Sequence, residues 1–324
     1  MKTVEPLHSF HKIKLLADPR RLEVLRLLMG APSTLTQLGE RLGQSPAWIR
    51  HHVKTLEEAG LVTLTAVRTT GRVTEKYYAA RAGALLLEEL ILPKSKTPVV
   101  VFAGSHDLAL QAAADHLARQ QTVLTLFVGS LNGLAHLRQG LCQLAGTHLR
   151  DDAGKYNVAY VHHLFPEGGV ELFALAHRTQ GLMLAAGNPK SIVDLADLVR
   201  PGIRFVQRNA GSGTRLSIDR ELARRQMGSA LLHPAGEDVT THTEAANLIR
   251  AGKADVALGL QAAARASGLD FLPLFEERYD LVVPREKLKE LAPLLDYIQT
   301  ADFRTSLHLF AGYDTAHSGE QIPL

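Results

Sequence analysis

The feature that most limits what this chain can become is a change of apolar rhythm near Pro93 and Pro98. Before these prolines, Ile13, Leu15, Leu16, Leu22, Val24, Leu25, Leu27 and Leu28 recur at helical spacing. After them, short continuous apolar runs (VVVFAG, TVLTLFVGS) alternate with helix-like stretches (SHDLALQAAADHLARQ, LNGLAHLRQGLCQL). The first rhythm builds a helical core, and the second predicts buried, largely parallel strands in an α/β layer. One core does not serve both, so at least two domains are expected. At 324 residues and 46% hydrophobic content, the chain has the material for them.

Charge divides along the same line. Residues 1–96 carry 15 Lys and Arg against 9 Asp and Glu, whereas the remainder carries 21 against 24. A basic head on a mildly acidic body points the head, and not the body, at a polyanion. Cys142 is the sole cysteine, which excludes an intrachain disulfide and a cysteine-cluster metal site. The opening MKTVEPLHSFHKIK lacks the apolar core of a signal peptide, and no apolar run approaches the length of a bilayer span. A cytoplasmic protein is expected.

Within the head, Asp18-Pro19 predicts an N-cap and first helical turn, and Gly30 with Pro32 ends that helix. Ser33 or Thr34 caps LTQLGERL, and Ser45-Pro46 opens a helix over 46–59, closed by Gly60. LVTLTAV and VTEKYYAA, alternating about Arg68-Thr69-Thr70-Gly71-Arg72, predict a β-hairpin. DPRRLEVLRLL, LTQLGERLGQSPAWIRHHVKTLEEAGLV and the hairpin together resemble the ArsR-type winged-helix DNA-binding domain. The resemblance implies that helix 46–59 enters the major groove as the second helix of the turn. Ser45, Trp48, Arg50, His51 and Lys54 then become the DNA contacts, with Arg68 and Arg72 on the wing; Trp48 also suits a core or dimer position. His51 and His52 point about 100° apart on a helix and cannot grip one ion together. Sensing is therefore expected outside the head.

Ligands on α/β sheets collect where strands feed helix N-termini. The loops at those points are small and polar: Gly104-Ser105-His106-Asp107, Gly129-Ser130, Gly146-Thr147-His148 and Gly211-Ser212-Gly213-Thr214-Arg215. Free N–H groups, hydroxyls and the positive helix end suit an anion. Arg215 stands four residues before Asp219, so a helix-surface ion pair is its other reading. His106, His148 and His242 fit a cleft or a scaffold equally. GSLNGLAHLRQGLCQLAGTHL, AHRTQGLMLAAGNPKSI, IRFVQRNAGSGTRLSIDREL, ANLIRAGKADVALGL and LDFLPLFEERYDLVVP are similar to the periplasmic-binding-protein-like domain of molybdate-related regulators and some molybdopterin-synthesis proteins. That similarity implies two α/β lobes, 97–180 plus 273–324 and 181–272, crossing near Gln180-Gly181 and Phe271-Leu272. Ser105, Ser130 and Thr147 would reach the cleft from one lobe and Gly213, Thr214 and Arg215 from the other, with His106, His148, Ser212 and His242 nearby.

The expected protein is multidomain: a winged helix over 1–92, mostly α with a hairpin wing, and a two-lobed α/β periplasmic-binding-protein-like fold over 97–324. The expected function is a homodimeric, one-component transcription regulator that binds operator DNA. It would sense a small anion, with molybdate or tungstate as candidates and a small organic acid as the alternative. No cofactor beyond a bound oxyanion effector, no metal and no membrane partner is expected. The rival classes are weaker. No GxSxG elbow, HExxH pair or GxxxxGK[ST] loop marks an enzyme, and a transport binding protein needs export.

Overall fold

The computed structural model describes residues 4–7, 9–71, 73–87 and 90–324. The chain divides into two compact units, residues 1–91 and 92–324.

The first unit runs β1 (Val4–Leu7), α1 (Phe10–Leu16), α2 (Pro19–Gly30), α3 (Leu35–Leu42), α4 (Pro46–Glu58), β2 (Val62–Thr70), β3 (Val73–Ala80) and β4 (Ala84–Leu87). Its helix starts are set by side-chain caps. The Asp18 carboxylate accepts the Arg20 N–H, Thr34 and Gln37 form a reciprocal capping box, and the Ser45 hydroxyl accepts the Trp48 N–H. Val24, Leu25, Leu28, Leu38, Ile49, Val53 and Leu56 close one core between α2, α3 and α4. Each buried aliphatic side chain of this size contributes about 1.5–3 kcal/mol. The hairpin is longer than its apolar alternation predicts: β2 continues through Arg68, Thr69 and Thr70, and Thr70 pairs with Val73. Cross-strand pairing holds these polar residues extended, so only the far tip of the expected turn region turns. A short parallel ribbon, β1 on β4, has no counterpart in the sequence reading.

The second unit continues β5 (Val99–Gly104), α5 (Leu108–His116), β6 (Thr122–Phe127), α6 (Ser130–Arg138), β7 (Leu144–Thr147), α7 (Val158–Leu164), β8 (Val170–Leu184), β9 (Phe205–Val206), α8 (Gly213–Arg224), α9 (His242–Arg250), β10 (Val256–Leu260), α10 (Gln261–Ala266), β11 (Asp270–Pro284), α11 (Leu288–Tyr297), α12 (Ala301–Ser306), β12 (Tyr313–Asp314) and β13 (Gln321–Ile322). The sheet order is β6-β5-β7-β11-β8-β10-β9, with β12 and β13 also on β8.

Two expectations need correction here. The sheet is mixed, not largely parallel: β5 pairs in parallel with β6 and β7, but the long β8 and β11 are antiparallel to each other, and β7 and β10 run antiparallel to them. The strand expected over IRFVQRN shrinks to Phe205–Val206, because the next residues leave the sheet to bridge Val239 and cap α8.

The apolar clusters show why two such long strands are needed. Val100, Phe102, Leu175, Leu281, Leu294 and Phe303 pack in one lobe. Leu182, Leu184, Leu198, Phe205, Ile218 and Leu258 pack in the other. β8 and β11 contribute their two ends to different cores, and between those ends lies a polar stretch of both strands. Gly181 marks the crossing: a Cβ there would overlap the Leu272 carbonyl, so only glycine lets the strands approach before β11 bulges between Pro273 and Phe275.

Candidate functional site

The polar stretch is buried. Arg178 and Gln180, two residues apart on β8, share one face of the strand, and Glu277 of β11 stands directly opposite Arg178. Around them gather the turns that end strands and begin helices: Ser105, His106 and Asp107 after β5, Ser130 at the head of α6, Thr147 and His148 at the end of β7, Ser212 to Thr214 at the head of α8, and His242 at the head of α9. All of these side chains are buried.

Most of them form one hydrogen-bonded set, while Thr147, Ser212 and His242 bond to Asn157, Arg215 and Arg208. Ser105 Oγ and Ser130 Oγ lie 2.9 Å apart, and Ser130 Oγ accepts the His148 backbone N–H at 3.2 Å. His148 Nδ1 lies 2.7 Å from Glu277 Oε2. The other carboxylate oxygen of Glu277 accepts from Arg178 Nε and from Gln180 Nε2, each at 2.7 Å. Arg178 Nη1 reaches Asp107 at 2.6 Å, and the Tyr313 hydroxyl donates to the same carboxylate oxygen at 2.7 Å. Gln180 Nε2 also donates to Thr214 Oγ1 at 3.2 Å, which ties the crossing strand to the second lobe.

The two lobes meet here. The Leu131 N–H donates to the Gly211 carbonyl at 3.3 Å, and a Cβ at Gly213 would stand 2.6–2.8 Å from the His148 ring. Glycine at 213 is thus what allows α8 to present its first backbone N–H groups beside that imidazole. The Ser212 hydroxyl caps the Arg215 N–H, while the amides of Gly213 and Thr214 precede the helix's own bonding pattern.

Charge is distributed unevenly across this interior. Arg178 is neutralised by Asp107 and Glu277. Arg208, 3% exposed, donates to the Val239 and Thr240 carbonyls and to His242 Nδ1 at 3.0 Å, and has no carboxylate within ion-pair distance among the described residues. Burial, followed by repulsion from Arg178, pulls its guanidinium down to about 10, which leaves it protonated at neutral pH. Burial raises the Glu277 carboxyl, but Arg178 and His148 outweigh it and hold the group down at about 2. His242 is driven well below the usual histidine range by burial and then by Arg208 and Arg178; His148 is also lowered by burial, against the pull of Glu277; His106 is brought down to about 4, again chiefly by burial.

A family model described as the PBP superfamily domain matches residues 112–299, and one described as bacterial regulatory protein, arsR family, matches residues 18–63. YvgK of Bacillus subtilis (strain 168) is 34% identical over 228 residues, 69% of this chain and 74% of YvgK. The chain belongs to the PBP superfamily domain family and carries an ArsR-family helix-turn-helix. Among solved structures, the sulfate-binding protein SubI of Mycobacterium tuberculosis H37Rv aligns at a TM-score of 0.47 and 17% identity, covering 68% of this chain and 86% of SubI. The tungstate ABC transporter structure from Geobacter sulfurreducens aligns at 0.45 and 13%, covering 66% and 97%.

The structure places the expected cleft residues unequally. Ser105, His106, Ser130, His148, Ser212, Gly213, Thr214 and His242 converge on the PBP-like interior; the His106 and His242 ring centres lie 5.9 Å apart. Two of the expected residues have other partners. The Thr147 hydroxyl is taken by Asn157 Oδ1 at 3.1 Å, because Asn157 also holds the Leu149 N–H and bridges to Asp280. Arg215, partly buried, pairs with Asp219 at 3.3 Å and Asp238 at 3.6 Å and donates to the Arg208 carbonyl at 3.1 Å, so the i,i+4 pair of its other reading is formed. The interior cations are Arg178 and Arg208. Arg178, Gln180 and Glu277 sit in polar stretches flanked by apolar residues within two 15-residue strands; Asp107 entered the sequence reading only as part of the Gly104-Ser105-His106-Asp107 loop, and nothing in the sequence singled out Arg208.

On the helix-turn-helix unit, Arg50, His51 and Lys54 are exposed along α4, and Ser45 caps it. Trp48 packs partly against the core, with its ring 4.2 Å from that of the buried His52. Arg50 lines a groove of about 450 Å³ with Thr34, Thr36, Thr74 and Lys76. Arg68 on the wing lies 5.1 Å over the Tyr77 ring. Arg72 falls outside the described residues. No helix among the described residues is long and apolar enough to cross a membrane.

Proposed function

We propose that this chain is a ligand-responsive transcription regulator of the cytoplasm, not an enzyme. As a homodimer it binds operator DNA through α4 and the β2–β3 wing, and a small anion held between the lobes of its PBP-like domain sets its DNA affinity. The observation that carries the ligand half is Arg208. A buried guanidinium whose acceptors are all neutral is costly, and a mobile anion is the natural counter-charge. The heads of α6, α8 and α9 add N–H groups and the positive ends of their dipoles to the same interior. The DNA half is supported by the exposed row Arg50, His51 and Lys54 on the second helix of an ArsR-family turn, since base edges are read from that position. A dimer would match a two-fold operator, and exposed Val4 on β1 and Phe10 at the start of α1 supply apolar surface for it.

Calorimetry of the full chain with phosphate, sulfate, molybdate, tungstate and small carboxylates tests the ligand half. Binding by at least one is expected, weakened about tenfold or more in Arg208→Met, consistent with loss of a buried charge partner. Failure of all of them to bind would remove the anion reading. Sedimentation should give a dimer at micromolar concentration; a monomer with and without DNA would remove the two-fold reading.

A further inference from the structure

The interior is not a uniform set of donors. Buried side-chain atoms with no partner among the described residues include Arg178 Nη2, His242 Nε2, His148 Nε2, Gln180 Oε1 and His106 Nδ1. Their hydrogen-bonding character follows from their neighbours. Arg208 can only donate, so His242 Nδ1 is the acceptor of that bond and the neutral ring carries its proton on Nε2. His242 Nε2 is therefore a donor, as is Arg178 Nη2. Ser105 and Ser130 share one hydroxyl hydrogen between them, and Ser130 already accepts from His148 N–H, so one hydroxyl hydrogen of the pair remains free. Thr214 accepts from Gln180 and keeps its own hydrogen to donate.

Glu277 fixes the opposite polarity on the other side. Ionised, it is an acceptor at both oxygens. His148 must give it the Nδ1 proton, which leaves Nε2 of the neutral ring with a lone pair. Gln180 must give it an amide hydrogen, which turns Oε1 away as an acceptor. One buried carboxylate thus converts an imidazole and an amide into two unmatched acceptors.

We propose that the interlobe cleft selects an oxyanion that itself carries an O–H donor, either a protonated tetrahedral oxyanion or a small hydroxy acid, over a fully deprotonated one. This rests on the anion reading above and narrows it. The ligand's anionic oxygens face Arg178, His242 and the serine pair, and its O–H is matched by His148 or Gln180. A dianion without a hydrogen sets its lone pairs against theirs; it fits only if His148 first takes up a proton. The groups around His148 are Glu277 and Tyr279 on β11, Arg178 on β8, the Ser130 hydroxyl at its backbone, Gly213 on α8, and Arg208 and His242 beyond. Of these, Glu277 favours that proton, and the two arginines and burial oppose it.

Full-length protein is titrated at pH 7.5 with inorganic phosphate, lactate, sulfate and molybdate, each in two buffers of different ionisation enthalpy. Phosphate or lactate should bind at least tenfold tighter than sulfate or molybdate, without uptake of a proton from buffer, and which of the two is tighter identifies the source of the O–H. Any measurable sulfate or molybdate binding should take up about one proton. Glu277→Gln keeps its amide oxygen toward Arg178 and Gln180 and turns its NH2 toward His148, so His148 Nδ1 accepts, Nε2 carries the proton, and the preference should fall to what Gln180 alone supports. Gln180→Met, a gentler change, should weaken only the O–H-bearing ligands. Sulfate or molybdate binding tightest with no proton uptake would overturn this inference and leave the anion reading intact. No binding by any of the four, or by the wider anion set above, would end both.

Discussion

The two units carry their positive charge in opposite ways. In the helix-turn-helix unit Arg50, Lys54 and Arg68 stand exposed, and Lys54 has only a 3.6 Å surface pairing with Glu58. In the PBP-like unit Arg178 and Arg208 are buried, one between two carboxylates and the other among carbonyls and an imidazole. An exposed cation acts at long range, is screened by salt and suits a polyanion. A buried cation spends its hydrogen bonds on fixing its neighbours and leaves specificity in which atoms remain unmatched. On the proposed function, the same residue type serves affinity in one unit and discrimination in the other.

The contrast is broken most forcefully at Arg178. Arg178→Met strips Glu277 and Asp107 of their cation while both stay buried, and removing one partner of a buried pair costs about 3–5 kcal/mol. Thermal or urea unfolding of the full chain should show that loss, whereas Arg50→Ala should leave unfolding unchanged. Equal stability for both variants would erase the distinction between the two kinds of cation.

Acid should act next, and more on the PBP-like unit, where burial lowers His106, His148, His177 and His242, than on the helix-turn-helix unit, where it lowers His52. His106, His148 and His242 have folded pKa values below the ordinary one, so the unfolded chain binds more protons and their contribution is lost as pH falls from about 6.5. Asp280, pushed up to about 6 by burial, runs the other way and offsets one of them in that range. The net slope is roughly 1.4 kcal/mol per pH unit for each uncompensated proton. Melting followed from pH 7 to pH 5 should show a falling transition, and His242→Gln should flatten it; a level profile in the wild type contradicts the buried neutral rings.

On the exposed side, Arg50→Ala should cost about 1–3 kcal/mol in operator affinity and relax sequence preference. Lys54→Ala should mainly reduce the salt slope by about one. Titrations across a salt series separate the two, and wild-type behaviour in both would move the DNA face off α4. The smallest effect is expected at Arg215. It closes the GSGTR segment on the first turn of α8, where Asp219, Asp238 and the Arg208 carbonyl engage it, so Arg215→Ala should change anion affinity less than about twofold, as such partly exposed pairs are worth roughly 0–1 kcal/mol. A tenfold loss by calorimetry would return it to the cleft.

How far the sequence reached follows the same division. Local chemistry was legible: Asp18-Pro19, Thr34 and Ser45 cap the helices where they should, and the glycine-hydroxyl loops mark the ends of strands that feed the cleft. What depended on long-range pairing was not. The antiparallel direction of β8 and β11 is invisible to apolar period, and so is the register that sets Glu277 against Arg178 across 99 residues. Arg208 lies in the loop before α8 and Arg215 on its first turn, seven residues apart, and the positions of Val239, Asp219 and Asp238 decide which is more buried.

On the proposed function, occupancy of the buried, cation-fixed interior of one unit is felt by the exposed cations of the other. Fluorescence anisotropy on an operator fragment recovered by selection from genomic DNA measures it directly, using full-length protein with and without the tightest-binding anion at saturation. The account predicts at least a fivefold change in operator affinity, within the usual range of coupling between sites, and its loss in Arg208→Met. Operator affinity identical with and without saturating anion would contradict it.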